Sequence, residues 1–111
     1  MEAIKSGDAD YAVLPIENST AGIVAAIYDL LVEYHHSIVG EQIIQVDHAL
    51  MGLKTSRLSD IKTVYSHPQA LAQCRKFLER HPEWKTEEYI NTAMAAKKVK
   101  DDNDMTQAAI A

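Results

Sequence analysis

The pattern of apolar and polar positions predicts strands and helices in turn along the first half of the chain. Residues 11–16 form a short apolar run between polar segments, which predicts a buried strand whose edge position or end is marked by Pro15. The next apolar residues recur at the spacing of one helix face: Ile23, Ile27, Leu30, Leu31 and Tyr34. Ser19 or Thr20 is the predicted N-cap of that helix. Residues 38–50 are predicted to be extended, with alternating apolar and polar positions before Leu50.

The second half of the chain continues the same alternation. Further strands are predicted at residues 62–65, 86–90 and 107–111. Ser66 and Gln69 match a capping box that opens a helix, and Pro68 occupies its first turn, where a missing N–H costs nothing. Asn91 or Thr92 caps the last helix. Strands that alternate with helices predict an α/β fold with a mostly parallel sheet and flanking helices.

Polar segments follow the predicted strands at the points where helices begin. They are residues 17–20, 66–69 and 91–92. Ligands of parallel α/β sheets bind outside the carboxyl ends of the strands, close to the helix N-termini that follow. These segments are rich in hydroxyls and amides and poor in positive charge. They therefore favour hydrogen-bonded recognition of a small polar or anionic ligand, although each segment also fits a simple turn or helix cap.

Composition narrows the class of protein. The chain has 111 residues, 47% of them hydrophobic, which fits one globular domain. A net charge of −5 argues against non-specific binding of nucleic acid or an anionic membrane. Cys74 is the single cysteine, so no disulfide framework is expected. No apolar run approaches a membrane span and no signal peptide is visible, so we expect a cytoplasmic protein.

The residue spacing does not indicate a metal site, a nucleotide-binding loop or a hydrolase nucleophile. The histidines show no metal-binding pattern, the glycines form no phosphate or dinucleotide loop, and no G-x-S-x-G elbow occurs. Cys74 falls on the apolar face of its helix and is predicted to be a core residue. Gln73 lies one turn beyond Gln69 and away from that face. It is either an exposed glutamine or an amide that lines a cleft.

Two long motifs resemble those of a known protein family. L-P-I-E-N-S spans residues 14–19, and Y-S-H-P-Q-A-L-A-Q-C spans residues 65–74. Together with residues 7–11, residues 38–41, Thr92 and the closing A-A-I-A, they closely resemble prephenate dehydratase in order and spacing. The resemblance covers nearly the whole chain.

The resemblance implies a catalytic region of two α/β lobes, similar to type 2 periplasmic binding proteins, with the active site between them. It implies conversion of prephenate to phenylpyruvate in phenylalanine biosynthesis, with loss of carbon dioxide and water and with no cofactor or metal. By motif, Asn18 and Gln73 would be the catalytic amides. The substrate-binding residues would be Glu17, Ser19, Thr20, Ser66, His67 and Thr92.

The chain also departs from the family pattern. It lacks the opening G-P-x-G-T-F-S segment, the T-R-F motif and the regulatory ACT domain. We therefore expect residues 1–111 to form a single lobe of the catalytic domain, with the missing lobe as partner and little or no activity alone. Self-pairing through exposed lobe surface or the strand at residues 107–111 is a further possibility. Two alternatives remain open: a small-dicarboxylate-binding module without catalysis, and an arogenate dehydratase.

Overall fold

The computed structural model describes residues 1–111 and divides them into two compact units, Met1–Ile44 and Gln45–Ala111. The first unit contains α1 (Glu2–Ser6), β1 (Glu17–Asn18), β2 (Gly22–Ile23) and α2 (Ala25–Tyr34). The second contains β3 (Leu50–Met51), a 3₁₀ turn (Leu58–Asp60), β4 (Thr63–Ser66), α3 (Pro68–Gln73), α4 (Arg75–Leu78), β5 (Lys85–Glu88), α5 (Thr92–Asp102) and β6 (Gln107–Ile110).

The first unit consists of two helices and a two-stranded ladder. β1 and β2 pair antiparallel, with Glu17 opposite Ile23 and Asn18 opposite Gly22. Gly22 has a φ of 77°, a left-handed conformation that a residue without Cβ adopts freely. The hydroxyl of Tyr34, at the end of α2, donates a 2.7 Å hydrogen bond to Glu2 in α1. No residue of this unit is fully buried, so it has no core of its own.

Two predictions for the first unit are wrong. Residues 11–16 are not a strand, because the ladder of this unit joins only β1 to β2 and offers them no partner. The predicted helix exists, but it begins at Ala25 with Val24 as N-cap, and neither Ser19 nor Thr20 caps it. Of the segment predicted to be extended, residues 38–50, only Leu50 belongs to a strand of a sheet.

The second unit is a four-stranded sheet in the order β3-β6-β4-β5. β4 lies parallel to both β5 and β6, and β3 joins the outer edge of β6 in the antiparallel direction. The strands occur within about two residues of the predicted ranges, at 63–66, 85–88 and 107–110. The predicted α/β class, with a mostly parallel sheet and flanking helices, is confirmed.

Side chains of successive strand residues enter cores on opposite faces of this sheet. Val64, Ala108 and Ile110 pack in one cluster with Ile61, Ala70 and Trp84, and with the half-buried Leu71, Cys74 and Leu78. Ala109 packs in the other cluster, with Ala95 and Val99 of α5. The alternation along β6 follows from the two-residue period of a strand. The sheet therefore lies between α3 and α4 on one side and α5 on the other.

The helix predicted after β4 is interrupted. α3 ends at Gln73 and α4 begins at Arg75, because Cys74 between them adopts φ −95° and ψ 9°, outside regular helix geometry. Cys74 is half-buried against the core, which confirms its predicted position. No helix of the chain combines the length and the apolar character that a membrane span requires.

Candidate functional site

The carboxyl edge of the sheet gathers the polar side chains of the second unit. β4, β5 and β6 are parallel, so their carboxyl ends share this edge. The antiparallel β3 begins there, and Ala49 exchanges two backbone hydrogen bonds with Ala111 (2.8 and 3.1 Å). The backbone N–H of Tyr89 donates to the Ser66 carbonyl at 2.8 Å, which joins the ends of β5 and β4. The loops that follow β4 and β5 therefore begin at this edge, and the segment that precedes β3 ends at it.

Ser66 closes β4 and is fully buried. Its hydroxyl donates a 2.6 Å hydrogen bond to the backbone carbonyl of Ile110 in β6. The predicted capping box is therefore wrong, because the Ser66 side chain bonds across the sheet and not to the helix. The contact fixes the spacing of two strand ends at the edge of the candidate site.

His67, and not Ser66, is the N-cap of α3. Its Nδ1 accepts a 3.1 Å hydrogen bond from the backbone N–H of Gln69, and Pro68 occupies the first helical position as predicted. A neutral His67 must then carry its proton on Nε2, because Nδ1 serves as the acceptor. The half-buried ring is thereby held in one tautomer and one orientation at the edge of the sheet.

Thr92 is the first residue of α5, and Asn91 caps that helix as predicted. The Oδ1 of Asn91 accepts a 2.7 Å hydrogen bond from the backbone N–H of Met94. Thr92 is half-buried and follows β5 by a short loop, so it starts from the same edge as His67. The starts of α3 and α5 are thus both fixed by side-chain caps.

Gln73 ends α3, and its amide contacts a histidine from another element. The Nε2 of His48 and the Oε1 of Gln73 lie 2.5 Å apart, and both side chains are half-buried. The sequence pattern indicates a candidate role for Gln73 but not for His48. One sequence signal could have pointed to His48. The alternation of the segment places His48 on the same face as Val46 and Leu50, an unusual position for a polar ring.

Cys74, the neighbour of Gln73, does not supply a reactive thiolate. Burial raises the pKa of its thiol. A raised pKa keeps the thiol protonated at neutral pH, and the protonated form is a poor nucleophile. The acids, histidines and cysteine of the chain also form no group of three or more that could hold a metal ion.

In the first unit, Asn18 is held in a local turn. Its Oδ1 accepts hydrogen bonds from the backbone N–H groups of Thr20 (2.9 Å) and Ala21 (3.2 Å). This Asx-type turn fixes which end of the amide is the carbonyl. Asn18 is half-buried, whereas Glu17, Ser19 and Thr20 are exposed.

The residues predicted from the sequence to form a site occur in each of the two units. Residues 17–20 form the turn of the first unit, and Ser66, His67, Gln73 and Thr92 follow the strands of the second. The site offers mainly amide, hydroxyl and imidazole groups, a set suited to hydrogen-bonding a polar ligand.

Comparisons with known proteins place this arrangement in a family. A family profile described as prephenate dehydratase matches residues 1–111. The bifunctional chorismate mutase/prephenate dehydratase of Escherichia coli K12 is 50% identical over 96 residues, which cover 86% of this chain and 25% of that protein.

Solved structures show the same fold. The prephenate dehydratase of Staphylococcus aureus Mu50 matches with a TM-score of 0.78 and 32% identity, over 99% of this chain and 41% of that one. A structure described as GqqA, a novel type of quorum quenching acylase, matches with a TM-score of 0.77 and 35% identity over 99% and 40%. The chain thus spans a quarter to about two fifths of these relatives. Since the profile covers every residue, the chain belongs to the prephenate dehydratase family.

Proposed function

We propose that this chain supplies substrate-contacting residues to an enzyme that converts prephenate to phenylpyruvate in L-phenylalanine biosynthesis. In the first unit these residues are Asn18 as a catalytic amide, with Glu17, Ser19 and Thr20 beside it in sequence. In the second they are Gln73 as a catalytic amide, with Ser66, His67 and Thr92. The observation that carries the proposal is the Gln73 amide, held by His48 within a chain that the family profile matches throughout.

The proposed residues suit the chemistry of the substrate. Prephenate carries two carboxylates and a ring hydroxyl. When the ring carboxylate leaves as carbon dioxide, the electrons of the broken C–C bond enter the ring, and the C–O bond breaks as hydroxide departs. The hydroxide takes up a proton to become water, and the ring becomes aromatic. Amide N–H groups can hold a carboxylate or hydrogen-bond the departing oxygen, so orientation and electrostatics suffice without a cofactor.

The exposed apolar surface of the first unit supports action within a larger protein. Tyr11, Val13 and Ile43 are 77%, 92% and 85% exposed. Isolated exposed apolar residues are ordinary, but these belong to a unit that has no buried residue. We propose that residues 1–111 form one lobe of a catalytic domain and that the remainder of that domain is its partner. The chain by itself is then expected to be inactive.

Two variants of this proposal differ in measurable ways. An arogenate dehydratase would act on the amino analogue of the substrate, and the residues present fit either molecule. A binding module would take up a small dicarboxylate without changing it. Product analysis with both substrates, and calorimetry with prephenate, separate these cases.

The test is a graft into a relative of stated activity. Residues 1–111 replace the matching segment of the Escherichia coli bifunctional enzyme, and phenylpyruvate formation from prephenate is followed. We expect the graft to form phenylpyruvate, the isolated chain to form none, and Asn18→Ala to lower kcat in the graft. Gln42→Ala, at an exposed glutamine outside the proposed site, is the matched control. A folded graft that forms no phenylpyruvate would contradict the proposal.

A further inference from the structure

We infer that His48 is the positioning residue for Gln73: it fixes which end of the Gln73 amide faces the substrate. The inference rests on the proposed role of Gln73. It starts from the 2.5 Å contact between His48 Nε2 and Gln73 Oε1, which joins residues 25 positions apart in the sequence.

The chemistry of the two groups sets the direction of this hydrogen bond. An amide oxygen accepts and does not donate, so the proton lies on Nε2 of His48. Both the Nε2–H neutral tautomer and the imidazolium carry this proton. The contact therefore persists whether the ring is neutral or charged.

The same contact disfavours the flipped amide. If the Gln73 amide turned over while the proton stayed on Nε2 of His48, its NH₂ group would face the Nε2–H, and two donors would meet without an acceptor. A half-buried donor without a partner costs free energy. His48 therefore holds Oε1 toward itself and leaves the NH₂ end as the group that Gln73 directs elsewhere. An NH₂ group is the end that can donate to a carboxylate or to a departing oxygen.

Both partners are held by the backbone of the second unit. Ala49, next to His48, is bonded through both its N–H and its carbonyl to Ala111 at the sheet edge. Gln73 ends α3, and the following Cys74 N–H bonds to the Ala70 carbonyl at 3.0 Å. An orienting contact between two anchored residues gives more precise positioning than one made from a mobile loop.

The tautomer of His48 can be read directly in the 111-residue chain. We expect nitrogen-15 NMR of the neutral His48 ring to show a proton on Nε2 and none on Nδ1. We expect His48→Leu to shift the side-chain NH₂ resonances of Gln73. Ser56→Ala removes a hydrogen bond to the Met105 carbonyl elsewhere in the unit and should leave those resonances in place. A neutral His48 protonated on Nδ1 would overturn the inference.

Kinetics in the graft test the consequence for catalysis. His48→Leu should lower kcat about 10- to 100-fold, the scale of a misplaced catalytic group. His48→Gln, whose amide NH₂ can donate from about the position of Nε2, should restore much of it. Adding His48→Leu to Gln73→Ala should cost little more, because both changes remove one function. Unchanged kcat in His48→Leu would overturn the inference, whereas a graft without any phenylpyruvate formation would overturn the proposed function and leave the NMR result to decide the role of His48.

Discussion

Removal of the Ser66 hydroxyl tests whether the edge of the sheet depends on one buried hydrogen bond. Ser66 is fully buried, and its Oγ donates to the Ile110 carbonyl at 2.6 Å. Ser66→Ala keeps the Cβ and removes only the donor. The carbonyl of Ile110 then loses its hydroxyl partner in the interior of the protein.

The expected magnitude follows from burial. A buried acceptor that loses its partner costs about 1–3 kcal/mol of folding free energy. Ser56 provides a matched comparison, because its hydroxyl also donates to a backbone carbonyl, that of Met105, at 3.0 Å, but in a solvent-exposed place. Water replaces the lost donor there, so Ser56→Ala should change the free energy of unfolding by no more than about 0.5 kcal/mol.

Urea unfolding of the 111-residue chain measures both variants. Trp84 is the single tryptophan and is 7% exposed in the core, so its fluorescence reports on the second unit. Circular dichroism gives an independent probe of the same transition. Equal losses in Ser66→Ala and Ser56→Ala would refute the reasoning, and so would a Ser66→Ala variant as stable as the original chain.

Further predictions concern the cap of α5 and the turn before β6. Asn91→Ala removes the oxygen that accepts from Met94 N–H, so thermal and urea unfolding should show a loss of about 1 kcal/mol. Asn91→Asp keeps a capping oxygen and should retain most of the stability; equal losses in the two variants would show that the cap is not the cause. Asp104 accepts from the backbone N–H of Thr106 (2.8 Å) and from its hydroxyl (2.7 Å), and these bonds lower the pKa of the Asp104 carboxyl. The stabilisation is therefore present above about pH 4 and is lost as the pH falls through the lowered pKa. Asp104→Asn, which does not titrate, should lose less stability than the original chain on acidification, and identical pH profiles would count against this assignment.

The sequence predicts the second unit well because its elements are marked by local chemistry. Pro68 and Asn91 mark the helix starts they were expected to mark, and both predictions are confirmed. β4 and β6 have side chains that pack alternately in the two clusters, Val64 and Ala108 in one and Tyr65 and Ala109 in the other. These strands pair with neighbouring strands of the same unit, and the pairing satisfies the hydrogen bonds of their backbone N–H and C=O groups. The strands predicted from the residue pattern therefore form in the structure.

The first unit was predicted less well, because a strand requires more than a suitable sequence. Residues 11–16 have strand-like composition, yet they find no neighbouring strand in this unit. Val13 is accordingly 92% exposed. Local pattern predicts a tendency to be extended, whereas pairing depends on partners elsewhere in a protein.

The candidate site was also predicted only in part. The motif residues were identified from the sequence, but the partners of their side chains were not. Ser66 looked like half of a capping box and instead bonds across the sheet, and His67 performs the capping. The contact between His48 and Gln73 joins segments that are distant in sequence, so only the fold brings them together.

The turnover number of the graft with and without Gln73→Ala tests the central claim most directly. If the Gln73 amide contacts the reacting substrate, its removal should lower kcat for phenylpyruvate formation about 100-fold or more, the usual loss for one transition-state donor. Circular dichroism should show that the variant stays folded, and Gln42→Ala should keep the kcat of the unaltered graft. A folded Gln73→Ala graft with unchanged kcat would contradict the account.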